Sequence, residues 1–258
     1  MPGEKRVFIT RFDSGVPSKT EDLVAAEEAL TVFADGLEVA TLLYTPPMTL
    51  ELTLGYLFSE GMIKSRDDIT SLSIKKGSVF VELKGGAQQK REGNSGKTIT
   101  SGCGGGVSFI YPQGAHDIKK LRSKLAVPQD KVLELASHFR KISELFEKTG
   151  GVHSAALSDG KEFIAFAEDI GRHNAVDKVF GKCLLEGINA EDTLLFTTGR
   201  VSSEILLKCA KRRTPVIVSR SAPTSLSVRL GERLGITVIG FARGRRMNVY
   251  THPERVLA

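Results

Sequence analysis

One cysteine of the chain stands in a setting that favours sulfur chemistry. Cys103 lies in the run Thr100-Ser101-Gly102-Cys103-Gly104-Gly105-Gly106, where its immediate neighbours have no side chain. Because glycine adopts backbone conformations that other residues avoid, the sulfur can reach outward. A thiolate on such an arm can accept an atom at one place and deliver it at another. We interpret Cys103 as a nucleophile that carries sulfur; the alternative is an incidental exposed thiol.

The same loop lacks the companions that two other kinds of site need. A Walker phosphate loop requires Lys-Ser or Lys-Thr after its glycines, and neither pair follows Gly106. A zinc site requires further Cys or His residues at ligand spacing, and none stands near Cys103. Cys183 and Cys209 fall in amphipathic segments, where we expect buried structural thiols.

Three polar turns each follow a predicted strand and precede a predicted helix. They cover residues 168–178, 198–203 and 221–225. In open α/β sheets, ligands bind beyond the carboxyl ends of the strands, where helix N-termini favour anions. We therefore expect the three turns to converge on one phosphate-binding crevice, in which Arg172 and Arg200 can bind phosphate with two hydrogen bonds each.

A structural interpretation of the same turns remains open. Asn174, Ser202 and Thr224 are suited to cap the helices that follow them, and capping alone would explain any one of them. His173 and Asp177 are four residues apart and would share one helix face. His153 is either a ligand or base, or a hydrogen-bonded structural residue.

The elements that must position these residues divide the chain into a small α+β domain, residues 1–125, and an α/β domain, residues 126–258. The first contains two hairpins, residues 28–44 around Asp35-Gly36 and residues 69–83 around Gly77. A helix follows Pro46-Pro47 and ends at Gly61. Residues 84–106 have almost nothing to bury and predict a long exposed loop.

The second domain begins with a predicted helix that ends at Gly150-Gly151 and continues as alternating strands and helices. This alternation predicts an α/β layer with mostly parallel strands. The predicted strands are 153–157, 163–167, 194–197, 216–219 and 237–241, and the predicted helices are 129–148 and those starting at Ala175, Ser203 and Ser225.

Composition narrows the classes of partner. The net charge is +6 and the isoelectric point is near 9.2, which favours an anionic partner. The chain has no Trp and no basic stripe interleaved with aromatic residues, so we expect no nucleic acid partner and place an anionic small molecule first. No apolar run is long enough to span a bilayer, and three scattered cysteines suit a reducing compartment, so we expect a cytoplasmic protein.

Segments along nearly the whole chain resemble the formate dehydrogenase accessory protein family, FdhD, whose members are sulfur carriers. The most specific is the run from Glu168 to Lys178. The other matching residues are Gly36, Thr45-Pro46, Gly55-Tyr56-Leu57-Phe58-Ser59-Glu60-Gly61, the Cys103 loop, Thr149-Gly150-Gly151-Val152-His153, Gly199-Arg200, Ser221-Ala222-Pro223-Thr224-Ser225 and Gly240-Phe241-Ala242-Arg243.

The resemblance implies a specific reaction. Cys103 would receive sulfur as a persulfide from a cysteine desulfurase and pass it to a molybdenum bis(molybdopterin guanine dinucleotide) cofactor before its insertion into formate dehydrogenase. It also implies a homodimer, a second domain similar to cytidine deaminase, no intrinsic metal, and cofactor binding by a late segment. Together with the turns, the expected cofactor-binding residues are Arg172, His173, Asn174, Gly199, Arg200, Ser202, Ala222, Pro223, Thr224, Phe241, Ala242, Arg243, Gly244, Arg245 and Arg246.

The chain departs from the family pattern at one position. Of two rival functions, the sequence disfavours one and leaves the other open. Many members carry a Cys-x-x-Cys pair, but Gly106 stands where the second cysteine would be. We therefore expect Cys103 to act alone, with the sulfur leaving directly to the acceptor or to an outside thiol. A zinc nucleobase deaminase needs His-x-Glu and Pro-Cys-x-x-Cys, and neither is present. A non-catalytic module that binds a guanine nucleotide or the cofactor remains open.

Overall fold

The computed structural model describes residues 3–86 and 118–258, and between these ranges only two short paired strands, Thr98–Ile99 and Val107–Ser108. Cys103 and most of the predicted exposed loop lie outside the described residues. The described chain is mixed α/β and contains six α-helices. None of these helices is both long enough and apolar enough to cross a membrane.

The helices and strands are numbered in chain order. The helices are α1 (Thr49–Ser59), α2 (Gln129–Lys141), α3 (Glu144–Thr149), α4 (Arg172–Glu186), α5 (Ser203–Lys211) and α6 (Ser225–Leu234). The strands are β1 (Glu4–Asp13), β2 (Val16–Ala25), β3 (Glu28–Ala34), β4 (Leu37–Tyr44), β5 (Ile69–Lys75), β6 (Ser78–Leu83), β7 (Thr98–Ile99), β8 (Val107–Ser108), β9 (Val127–Pro128), β10 (His153–Ser158), β11 (Phe163–Asp169), β12 (Leu194–Thr197), β13 (Val216–Ser219), β14 (Thr237–Arg243), β15 (Arg246–Val249) and β16 (Val256–Leu257).

The smaller layer is a four-stranded sheet, in the order β4-β3-β6-β5, with α1 on one face. Both predicted hairpins are confirmed. Asp35 and Gly36 have positive φ angles of 47° and 77°, as a tight primed turn requires, and Gly77 has a φ of 76°. The buried side chains of β3 and β6 alternate with exposed ones and pack on the apolar side of α1, which gives this layer its own core.

The larger sheet has six strands in the order β11-β10-β12-β13-β14-β15, with apolar cores on both faces. The prediction of mostly parallel strands is wrong, because only the pairs β12-β13 and β13-β14 are parallel. Parallel neighbours need a crossover, which α5 and α6 supply, whereas short turns join β10 to β11 and β14 to β15 and make those pairs antiparallel. The strand β15 was not predicted.

The predicted helix 129–148 is in fact two helices that break at Ser143. The Ser143 hydroxyl is buried and bonds both the Phe139 carbonyl at 3.1 Å and the Ser154 hydroxyl at 2.9 Å. The Glu168 carboxylate accepts hydrogen bonds from the backbone N–H groups of Leu145 and Phe146, at 3.1 and 3.0 Å. A carboxylate at this position stabilises a new helix start, so α3 begins here.

An N-terminal arm precedes both layers, although no element is predicted before Glu28 from sequence. Strands β1 and β2 pair only with each other over their full length. The base of the arm contacts α3 through an ion pair between Glu4 and Lys148. Farther out the apolar side chains are uncovered, with Phe8 86% and Phe12 70% exposed.

The two layers meet where α1 crosses α4 at glycines on both helices. A Cβ atom at Gly55 would lie 1.9 Å from the Asp177 carbonyl oxygen, and one at Gly181 would lie 1.7 Å from the Glu51 carbonyl oxygen. Both positions therefore require glycine for this helix spacing. The division into domains at residue 125 stays a prediction, and Leu121 packs in the core of the larger layer.

We expect Gly181→Ala to lower the free energy of unfolding by about 1–3 kcal/mol or more, because the added methyl group must push the α1 backbone away. Urea unfolding measures this change. The control is Lys182→Ala on the outer side of α4, which removes one surface ion pair and should cost less than about 0.5 kcal/mol. Equal unfolding free energies for Gly181→Ala and the parent would contradict the close crossing.

Candidate functional site

One edge of the six-stranded sheet collects the ends of five strands. The amino end of β10 lies beside the carboxyl ends of β11, β12 and β13. The residue pairs that show this are His153 with Asp169, Ala155 with Thr197, and Thr197 with Ser219. The carboxyl end of β14 follows next, since β13 and β14 are parallel. This edge is the position where open α/β sheets bind ligands.

Backbone hydrogen bonds join the second and third turns to each other and to the late segment. The Val201 N–H donates to the Ala222 carbonyl at 3.1 Å, and the Thr224 N–H donates to the Val201 carbonyl at 3.0 Å. The Phe241 N–H donates to the Ser221 carbonyl at 3.1 Å. Residues 198–203, 221–225 and 241–246 therefore form one continuous surface at this edge.

The first turn joins the same surface beside Gly199. A Cβ atom at Gly199 would lie 2.8 Å from the Cβ of Arg172, so glycine is needed for this approach. The structure thus brings the three predicted turns together. The part that their residues play in binding stays a prediction.

Two predictions about the first turn are wrong. Helix α4 begins at Arg172 rather than at Ala175, and its N-cap is Gly171 rather than Asn174. The Asn174 amide instead donates to the Leu43 carbonyl at 2.8 Å and to the Asp169 carboxylate at 3.0 Å. These partners come from another layer and another strand, so Asn174 holds the turn in place and does not cap the helix.

The other two caps are as predicted. The Ser202 hydroxyl accepts a hydrogen bond from the Ile205 N–H at 3.4 Å at the start of α5. The Thr224 hydroxyl accepts from the Ser227 N–H at 3.3 Å, and Ser227 returns a bond to Thr224 in a capping box. These hydroxyls are engaged in the helix starts, which fixes the shape of the edge.

His173 and Asp177 share one face of α4, as predicted, and that face meets α5. His173 Nε2 lies 2.8 Å from the Glu204 carboxylate, and Lys208 Nζ lies 2.6 Å from the Asp177 carboxylate. The hydrogen bond from His173 holds the pKa of Glu204 below its ordinary value. The sequence pattern gave no sign of Glu204 or Lys208, because their partners lie on a different helix.

A buried ion pair lies directly behind the first turn. Lys178 Nζ is 2.7 Å from the Asp169 carboxylate and also donates to the Thr45 carbonyl at 2.5 Å and the Glu168 carbonyl at 3.0 Å. Burial lowers the pKa of Lys178, and Asp169 opposes that effect. Asp169 also accepts from the Thr45 N–H at 3.1 Å. The pair therefore fixes the turn to the smaller layer.

His153 lies at the same edge, half-buried, with Nδ1 3.2 Å from the Thr198 hydroxyl. Burial lowers its pKa, and the positive charge of Arg172 lowers it further. The imidazole is therefore mainly neutral near neutral pH. Its position fits both interpretations given above, and the choice between them stays open.

Three arginines form a cationic group beside this edge. Their grouping was not predicted from the sequence. Arg220 directly follows β13, Arg140 is near the end of α2, and Arg243 is at the end of β14. Burial lowers the pKa of Arg220, and repulsion from Arg140 and Arg243 lowers it further. The three charges together raise the positive potential beside this edge. We call Arg140, Arg220 and Arg243 the arginine cluster.

The late segment forms the turn between β14 and β15. Phe241 has a positive φ of 53°, and the Arg243 guanidinium lies over its ring at 5.8 Å. Ala242 is buried, whereas Arg243, Gly244, Arg245 and Arg246 are exposed, and so is Arg200 in the second turn. These arginines add positive charge to the same side of the sheet.

Comparison with known proteins identifies the family of this chain. Residues 25–257 match the model of the FdhD/NarQ family. The chain belongs to the FdhD/NarQ family. Relatives named as sulfur carrier protein FdhD include those of Bacillus subtilis strain 168, 40% identical over 96% of this chain and 95% of that protein, and Staphylococcus haemolyticus strain JCSC1435, 41% identical over 97% and 96%.

A solved structure shares the fold along the whole chain. It is a crystal structure from Desulfotalea psychrophila, described as that of a candidate formate dehydrogenase accessory protein. That chain is 26% identical, the similarity covers 99% of this chain and 100% of the other, and the TM-score is 0.81.

Proposed function

We propose that this protein is a sulfur carrier required for formate dehydrogenase activity. It accepts sulfur on Cys103 as a persulfide from a cysteine desulfurase. It then transfers the sulfur to a molybdenum bis(molybdopterin guanine dinucleotide) cofactor, the acceptor substrate, before that cofactor enters formate dehydrogenase. Family membership and the names of the relatives support sulfur transfer and the link to formate dehydrogenase.

The arginine cluster is the observation that carries the acceptor part of the proposal. An acceptor with pyrophosphate links brings several negative charges, and guanidinium groups bind phosphate oxygens with paired hydrogen bonds. Arg220 lies at the carboxyl edge with Arg140 and Arg243, and the exposed Arg200 is in the adjoining turn. The helix starts capped by Ser202 and Thr224 add positive ends of helix dipoles at this edge.

The loading step is a thiol–disulfide type exchange. The Cys103 thiolate attacks the outer sulfur of the donor persulfide, a new S–S bond forms at Cys103, the donor S–S bond breaks, and the donor leaves as a thiolate. Release of the outer sulfur as sulfide breaks the new bond and consumes two electrons, which the acceptor or an external thiol supplies. Because Gly106 replaces a second loop cysteine, no internal thiol takes part.

One alternative function is favoured by a specific observation. All the residues of the arginine cluster and of the three turns lie within residues 118–258. A non-catalytic module that binds a guanine nucleotide or the cofactor would need this edge and would not need the thiol. Sulfur loading of Cys103 separates the two functions. We also propose that the second domain is similar to cytidine deaminase.

We also propose that the protein is a homodimer, and the N-terminal arm supports this. An isolated two-stranded hairpin is marginally stable in water, and exposed aromatic side chains on it favour burial by a partner. Phe8 and Phe12 are exposed and four residues apart in β1, so their side chains lie on the same face of the arm. In the proposed homodimer, a second copy of the chain would cover this face.

Incubation with a cysteine desulfurase and cysteine should add one sulfur atom to Cys103, and Cys103→Ala should accept none. Alkylation followed by mass spectrometry locates the added sulfur. Cys183→Ala is the matched control, because burial raises the pKa of Cys183 to about 11 and leaves that thiol unreactive. Sulfur uptake by Cys103→Ala equal to that of the parent would favour the non-catalytic alternative.

We expect guanosine diphosphate to bind the parent protein, and Arg220→Gln to weaken it by about tenfold or more, as loss of one charged hydrogen-bonding group costs about 1.5–3 kcal/mol. Isothermal titration calorimetry at two salt concentrations measures both effects. Arg122→Gln, an exposed arginine outside this edge, should leave the affinity within twofold. Equal affinities for Arg220→Gln and the parent would reject the arginine cluster as the binding site.

Replacing both arm phenylalanines, Phe8→Ser with Phe12→Ser, should convert the dimer to a monomer of 28.0 kDa. Size-exclusion chromatography with light scattering measures the mass. Arg11→Ser, an exposed polar change on the opposite face of the same arm, should keep the dimer. A double variant that retains the parent mass would exclude the arm as the dimer contact.

A further inference from the structure

An open cleft lies at the end of α5 remote from the candidate site. Ser202 caps α5 at the carboxyl edge of the sheet. Lys211 ends the helix about 13 Å along its axis, and Arg212 and Arg213 follow. The cleft has a volume of about 480 Å³. One wall is formed by the ends of α4 and α5, and the other by Phe58 of α1 and residues 64–67 of the smaller layer.

The wall of the larger layer holds an arginine that lacks an ionic partner among the described residues. The Arg212 guanidinium lies over the Phe58 ring at 5.0 Å and near the Phe180 ring at 5.9 Å. Its Nε atom is buried and has no hydrogen-bond partner. The nearby Glu191 carboxylate is already paired with Arg213 at 2.8 Å. Among the described residues no carboxylate forms an ion pair with Arg212, so its charge attracts an incoming acid.

The cleft as a whole carries an excess of positive charge. Five cationic side chains line it, namely Lys64, Arg66, Lys211, Arg212 and Arg213, against two anionic ones, Asp67 and Glu191, so the excess is three. Basic residues after a helix C-terminus offset the helix dipole, which accounts in part for residues 211–213. Lys64 and Arg66 belong to the opposite wall and are not at a helix C-terminus, so the dipole does not account for them.

We propose that this cleft docks an acidic segment of a partner protein, with carboxylates on its cationic walls and an apolar side chain against Leu184 and Ile188. The cations lie on two facing segments, which suits single charges spaced along a peptide. A compact phosphate would instead need cations or backbone N–H groups that converge on one point, and the ends of α4 and α5 turn carbonyl groups towards this end of the molecule. The site is separate from the arginine cluster.

A fluorescein-labelled peptide of sequence Glu-Glu-Leu-Glu-Glu-Leu is the probe, and fluorescence anisotropy with the full chain measures its binding. Removing two cations with Lys64→Gln and Arg66→Gln should weaken binding by about tenfold, whereas Asp67→Asn, which removes an opposing charge, should strengthen it about twofold. A gain of affinity for Asp67→Asn cannot come from misfolding, so it would show independently that the charge of this wall sets the affinity.

Two controls separate the cleft from general charge attraction. Arg122→Gln with Lys124→Gln removes the same charges at the same spacing from exposed positions outside the cleft, and Arg220→Gln alters the arginine cluster. Both should bind the peptide like the parent. The proposal is overturned if the parent does not bind the peptide, if either control weakens binding as much as the cleft variants, or if inorganic phosphate displaces the peptide at concentrations similar to the peptide's own.

Discussion

The buried ion pair between Asp169 and Lys178 is the interaction on which the candidate site depends. Both side chains are almost fully buried, so each charge needs its partner and its further hydrogen bonds. Asp169 accepts from the Thr45 N–H and the Asn174 amide, and Lys178 donates to the Thr45 carbonyl. The pair thus joins the end of β11, the start of α4 and the end of β4. Removal of either charge would leave the other buried and unpaired, and would release the first turn.

From this anchor the rest of the edge is held by backbone contacts and by small residues. Gly199 lets the second turn approach Arg172, and hydrogen bonds through Val201 and Ser221 bring in the third turn and the late segment. The layers are held at a fixed spacing by Gly55 and Gly181. The result is a rigid surface with positive charge on it. Such a surface suits the binding of the proposed anionic acceptor, and in the proposed function Cys103 carries the sulfur to it.

Local chemistry explains which elements could be predicted from the sequence. Several features depend on residues that are close in sequence, and all of them were predicted. They are the turn at Asp35-Gly36, the strand Leu194–Thr197 and the caps Ser202 and Thr224. The start of α4 was misplaced because Asn174 bonds Leu43, 131 residues away. The break at Ser143 depends on Glu168 from another strand, and the arginine cluster brings together three separate elements. Long-range contacts of this kind leave no periodic pattern.

In the proposed function, the thiol of Cys103 and the cationic edge act in the same sulfur transfer: Cys103 carries the sulfur, and the edge binds the acceptor. The most direct measurement loads Cys103 with a radioactive persulfide sulfur, adds the guanine dinucleotide form of the molybdenum cofactor, and follows the label in a single turnover. The parent protein should pass its label to the cofactor, while Arg220→Gln should load normally and retain the label on Cys103. Equal rates of label transfer from the two proteins would contradict the account.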